Sequence, residues 1–219
     1  RGIDFAFFLT RSEQLSEENR HFTLTRQQLY TINPNTGTCP IFRSKRDAEL
    51  TRKLYEAAPA LINEADDKNP WSVSFKQGLF NMSSDSGLFH TQEELKVEGF
   101  NLQGNWFVRE EETYLPLYEA RMLDHFNHRA ACIEVNPDNQ YREATTEPSS
   151  SANLSNPKYC PVPRFWVDRE EIKGAPFDRQ RWSIAYRYVT SATNARTGFF
   201  SIVPLCGASN MMPLAVADT

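Results

Sequence analysis

Residues 118–129 read YEARMLDHFNHR, the densest group of potential metal ligands and charged side chains in the chain. His125 and His128 lie three apart, with the carboxylates of Glu119 and Asp124 and two arginines beside them. On a helix, side chains at i and i+3 share a face and could meet one ion. The familiar metallohydrolase helix needs H-E-x-x-H, with four-residue spacing and a third ligand. Neither Glu119 nor Asp124 completes that pattern, and His21 and His90 are distant without spacing logic. The plainer expectation is a hydrogen-bonding pair at a helix end, where a protonated His128 is favoured by the macrodipole.

No other arrangement points to catalysis. The chain has no G-x-S-x-G elbow, no P-loop and no G-x-G-x-x-G cradle. The acidic runs at Glu93–Glu94 and Glu110–Glu112 read as solvated faces or turns. The four cysteines are scattered, with no C-x-x-C spacing, as expected for reduced thiols.

Two polar loops hold the remaining candidates. NPNTGTCPIFRS places Asn33, Asn35, Thr36 and Arg43 ahead of a helix start, with Arg46 in its first turn. Free N–H groups at such a start suit a phosphate. TSATNART places Thr190, Thr193, Asn194, Arg196 and Thr197 between two strands, with Arg187 just before. Asn can read adenine and Arg guanine, while Thr suits a phosphate or a thymine methyl. The competing expectation is that such loops satisfy themselves through Asx- and Ser/Thr-turns.

The elements that must carry these residues follow from periodicity. DFAFFLT (residues 4–10) predicts a buried strand, followed by a charged loop. Ser44 and Asp47 predict a capped helix through KRDAELTRKLYEAA, with Leu50, Leu54 and Ala57 on one face and Pro59 beyond its end. Alternation of Trp71, Val73 and Phe75 predicts a strand. TQEE at 91–94 opens a short helix that Gly99 closes. GNWFVREEETYLPLY predicts a hairpin turning at EEE. YEARMLDHF predicts a short helix ending near Asn127, with Tyr118, Met122 and Phe126 inward and Glu119 in a structural role.

ACIEV predicts a strand. TTEPSSSANLSNPK (145–158) predicts a mobile loop or lobe boundary, separating an N-terminal lobe (1–144) from a strand-rich lobe (159–219). CPVPRFWVDREEIKG predicts a strand and a short helix, and strands follow at 182–189 and 198–204. Strands and helices do not alternate regularly, so the expected class is mixed α+β with a largely antiparallel sheet and a few short helices. No run of about 18 apolar residues is present, and no secretory pattern is visible, so the expectation is a cytoplasmic protein without a membrane span. The start at Arg1 and the apolar end MMPLAVADT suggest an internal piece of a longer chain.

Net charge is −4, but the acidic excess is confined to residues 64–148, and both flanks are basic. Of the 24 basic side chains 17 are Arg, whose planar fork suits phosphates and guanine edges.

Five blocks resemble one family. They are INPNTGTCPIFRSKRDAELTRKLY (32–55), FNMSSDSGLF (80–89), YLPLYEARMLDHFNHRAA (114–131), PRFWV (163–167) and RYVTSATNART (187–197). Together they resemble the C-terminal part of large bacterial adenine-N6 DNA methyltransferases, of the kind found in Type IIG-like restriction–modification and in BREX- or DISARM-like phage defence. In the third block Tyr118, Glu119, Met122, Phe126, His128 and Arg129 match. The family pattern has Gln at position 125 and Asp at 127, so His125 and Asn127 depart from it.

Such enzymes bind S-adenosylmethionine and hold the flipped adenine with an Asn-Pro-Pro-aromatic motif. Here the NP dipeptides are followed by Asn, Trp, Asp and Lys. The resemblance therefore implies the target-recognition region, with no cofactor in this part and S-adenosylmethionine in the parent's catalytic half. The implied partners are double-stranded DNA, the catalytic domain of the same chain and other defence-system subunits. His128 and Arg129 would either lock a neighbouring loop or reach DNA. The alternative is an interaction module that docks the methyltransferase to a defence partner. A metal hydrolase built on His125, His128 and acidic neighbours is the third reading.

Overall fold

The computed structural model describes residues 1–134, 145–175, 178, 180–191 and 193–217. Val135 and Ala192, both used in the sequence readings above, lie outside them, as do the last two residues of MMPLAVADT. The class is α+β, with four α-helices and thirteen strands among the described residues, mostly in antiparallel pairs. No helix among them is long and apolar enough to cross a membrane. Among the described residues two compact units form, residues 1–73 with Ala217, and residues 74–216. The segment 145–158, expected as a lobe boundary, lies inside the second unit.

In the first unit β1 (Gly2–Ala6) pairs antiparallel with β2 (His21–Thr25), Phe5 opposite Phe22. The strand in DFAFFLT therefore starts two residues early, and its outer half is exposed. Alternation in HFTLT buries Phe22 and Leu24 against α1 (Arg26–Ile32) and α2 (Lys45–Ala57). Ser44 caps α2 as expected, its Oγ accepting from the Asp47 N–H at 3.2 Å. The buried face differs from the expectation: Ala48 is inside, while Leu50 and Leu54 are more than half exposed. α1 lies where the sequence pattern predicts loop. Its marker was present as T-x-x-Q, since Thr25 and Gln28 form a reciprocal capping box.

The second unit holds three sheets sharing one core. β3 (Val73–Lys76) joins the first sheet, and α3 (Gln92–Val97) is capped by Thr91 and Glu94. β4 (Asn101–Gln103), β5 (Trp106–Arg109) and β6 (Glu112–Tyr118) form a meander, and the second turn falls in the acidic run with Glu110 at φ 52°. β7 (Ala131–Glu134) pairs with β8 (Thr145–Pro148), and α4 (Ser151–Ser155) follows. So TTEPSSSANLSNPK carries a strand and a helical turn capped by Ser150. β9 (Trp166–Asp168) pairs with β6.

β10 (Trp182–Tyr186) pairs with β11 (Phe200–Pro204), the hairpin expected around TSATNART. β12 (Gly207–Ala208) runs parallel to the end of β6, and β13 (Leu214–Ala217) pairs with β10. Leu115, Leu117, Val167, Ala185, Val203 and Leu214 meet in the shared core. Each fully buried Leu there contributes roughly 2 kcal/mol.

Candidate functional site

β6 organises a cleft of about 450 Å³ in the second unit. Its last residue, Tyr118, is buried, and the chain then turns through Glu119 into a single 3-10 turn, Ala120–Met122. β12 runs parallel to the last two residues of β6, with Ala208 beside Tyr118, and the Ser209 N–H donates to the Tyr118 carbonyl at 3.0 Å. That register sets Ser209 and Asn210 next to Glu119. β9 approaches antiparallel, and the Leu117 N–H donates to the Phe165 carbonyl at 2.9 Å, so Arg164 arrives opposite the same strand end. The lining includes Glu119, Arg121, Arg164, Arg187, Ser209 and Asn210, with Met82, Val189 and Met211 as apolar walls.

Gly78 holds the Ser209 turn in place. Its φ is +79°, and a Cβ there would stand 2.2 Å from the Ser209 carbonyl oxygen. The N–H groups of Leu79 and Phe80 both donate to the Ala208 carbonyl, at 2.8 and 3.0 Å.

The polar inventory of the cleft is incomplete. Among the described residues, four buried side-chain atoms lack a hydrogen-bond partner: Glu119 Oε1, Arg164 Nε, Ser209 Oγ and Asn210 Oδ1. All four residues line this one cleft. Buried polar groups are usually paired, and an orphan costs about 1–3 kcal/mol. Glu119 is only 8% exposed; its other oxygen receives the Arg121 Nε at 3.2 Å. Burial pushes its carboxyl above the usual range, and the charges of Arg121 and Arg164 pull it back only in part. Arg164 also stacks over Phe165, 4.8 Å from the ring centre.

Residues 118–129 therefore do not form the expected helix. Tyr118 and Met122 are buried as expected, but Phe126 is 85% exposed, at φ 59°. The His125 and Phe126 rings lie with centres 4.0 Å apart and planes tilted by 50°. Burial lowers the His128 pKa, and Arg129 adds to this against a backbone hydrogen bond at Ile202. Among the described residues no group of three or more His, Cys, Asp or Glu could hold a metal ion. Arg129 locks a neighbouring loop: its guanidinium donates to the carbonyls of Leu154, Asn156 and Tyr159 at 2.9–3.3 Å, closing α4.

The other candidates divide. Arg187 lines the cleft, donates to the Leu123 carbonyl and lies over Phe199 at 4.6 Å. Thr190 donates to the Thr197 carbonyl at 3.3 Å, and Thr193 shares a 2.7 Å bond with Ser191. Asn194, Arg196 and Thr197 are exposed. In the first unit Asn33 donates to Thr38 at 2.9 Å, Thr36 bonds Thr38 at 2.7 Å, and Asn35 joins Ile62 and Glu64. That loop satisfies itself, while Arg43 and Arg46 are exposed. Glu119, Arg164, Ser209 and Asn210 were not singled out as contacts. The marker for the first two was their place in the resembling blocks; ASNM carried none. No protein-family model matches the chain, and neither a curated protein nor a solved structure matches it.

Proposed function

We propose that the chain is a DNA target-recognition region of an adenine-N6 methyltransferase and that the cleft at the end of β6 is part of its DNA-contacting surface. One observation carries this reading. Four of the five blocks that resemble such enzymes each send residues to this cleft: Met82, then Glu119 and Arg121, then Arg164, then Arg187. Segments far apart in the chain, alike in origin by resemblance, thus meet around three arginines and a set of unpartnered polar atoms. Arginines at the rim suit phosphates, and buried donors and acceptors suit base edges.

The test is fluorescence anisotropy with labelled duplex DNA over a salt series. Binding should fall steeply with salt as counterions are released. Arg121→Gln and Arg196→Ala should weaken it with the fold intact by circular dichroism. No binding at the lowest salt sinks the proposal.

A second reading, docking onto the catalytic domain or a defence subunit, is favoured by one face of the β10–β11 pair. Trp182, Ile184, Phe200 and Ile202 are 38–59% exposed there. An apolar surface of that kind suits a protein partner. Ile202→Asp should abolish co-purification with the parent's catalytic half if this reading holds.

A further inference from the structure

The orphaned atoms of the cleft specify what would complete them. Glu119 Oε1 and Asn210 Oδ1 are acceptors, Arg164 Nε is a donor, and the Ser209 hydroxyl can be either. A phosphate would satisfy the arginine but would face the carboxylate oxygen with another lone pair. A simple cation would satisfy the carboxylate but would sit among Arg121, Arg164 and Arg187. The matching group is neutral, carries N–H donors and has an acceptor near them. The Met82 and Met211 side chains in the lining suit a flat, polarisable ring.

We propose that this cluster reads the exocyclic amino group of an adenine or cytosine, with Glu119 and Asn210 as acceptors; this rests on the DNA-recognition reading above. In the major groove adenine offers an N6 amino donor beside the N7 acceptor, and cytosine offers its N4 amino group. Guanine and thymine turn carbonyl oxygens to the same place, and these would face the carboxylate. Adenine uses the Arg164 Nε as well, through N7; cytosine leaves it without a partner. Arg121 acts as a positioning residue, since its Nε holds the second Glu119 oxygen at 3.2 Å and leaves Oε1 directed elsewhere. Among the lining side chains Val189 is 63% and Met211 41% exposed.

The experiment starts with selection of bound duplexes from a random library by the chain and by Glu119→Leu. The chain should enrich adenine or cytosine at one position. Glu119→Leu, which keeps the bulk but offers no acceptor, should lose that preference. The second arm keeps the protein unchanged and alters the DNA. The preferred base is replaced by its analogue without the amino group, purine for adenine or 2-pyrimidinone for cytosine. Affinity should fall about tenfold, equivalent to about 1.4 kcal/mol.

Arg164→Gln should reduce binding to an adenine word more than to a cytosine word, which separates the two bases. An amino-deleted base bound as tightly as its parent at every position overturns the inference, as does an identical preference in Glu119→Leu. Binding without any sequence preference overturns it too and leaves the DNA-recognition reading standing. Absence of duplex binding at low salt overturns both.

Discussion

At the scale of the residue, Glu119 combines three properties that an ordinary structural carboxylate avoids together. It is buried, one oxygen has no partner, and its carboxyl is pushed up by desolvation. The folded group holds its proton more tightly than the unfolded one, whose ordinary value is 4.5. Stability from this site therefore falls as pH rises from 4.5 through the raised value, and above that the full penalty stands. Glu119→Gln removes the buried charge in nearly the same shape. It should melt higher than the native chain at neutral pH, by on the order of 1 kcal/mol or a few degrees. The advantage should shrink on acidification below 4.5, where both states of the native carboxyl are protonated. Differential scanning fluorimetry at the two pH values checks this; a native chain that melts higher at neutral pH would refute it. Strain kept at a cost to the fold is what a binding position predicts.

At the scale of the element, the cleft depends on how short strands end. Gly78 allows the Ser209 turn to approach the backbone closely, and its φ of +79° suits no side chain. Gly78→Ala should cost about 2 kcal/mol or more in urea denaturation, because strain and collision add. Thr91→Ala should cost about 1 kcal/mol by removing the cap of α3, with no change in the cleft. Much at this scale was legible beforehand. The Ser44 and Thr91 caps, the β5–β6 hairpin around the acidic turn and the β10–β11 hairpin follow from local rules that need only a few neighbouring residues. The helix at 118–129 was misread because Tyr118, Met122 and Phe126 fit a helical stripe. Pairing of Tyr118 with Ala208 instead extends β6 through that position, so a sheet partner remote in sequence overrode the local pattern.

At the scale of the whole molecule, the sign of the net charge is a poor guide to partners. The chain is −4 overall, yet three arginines line one cleft, two of them from its basic later part. If Arg121, Arg164 or Arg187 each neutralised a phosphate, every such contact would add about −0.9 to the slope of log K against log salt. Arg121→Gln should therefore flatten the slope by about one, measured by anisotropy between low and moderate salt. An unchanged slope would remove Arg121 from the phosphate-contacting set.

The sequence by itself determined the class, α+β with short antiparallel strands, because hydrophobic period, caps and turn residues act over a few neighbours. It also marked four of the segments that line the cleft, but not the one that carries Ser209 and Asn210. Only the tertiary structure decided which polar residues are free to act. Asn33, Asn35, Thr36 and Arg129 looked available and are consumed by their own loops and by α4. Glu119 looked structural and is left with an empty acceptor, because β9 and β12 bring Arg164, Ser209 and Asn210 to the end of β6 without completing its hydrogen bonds. Satisfaction of a buried polar atom depends on partners far away in the chain, and no local pattern of residues encodes it.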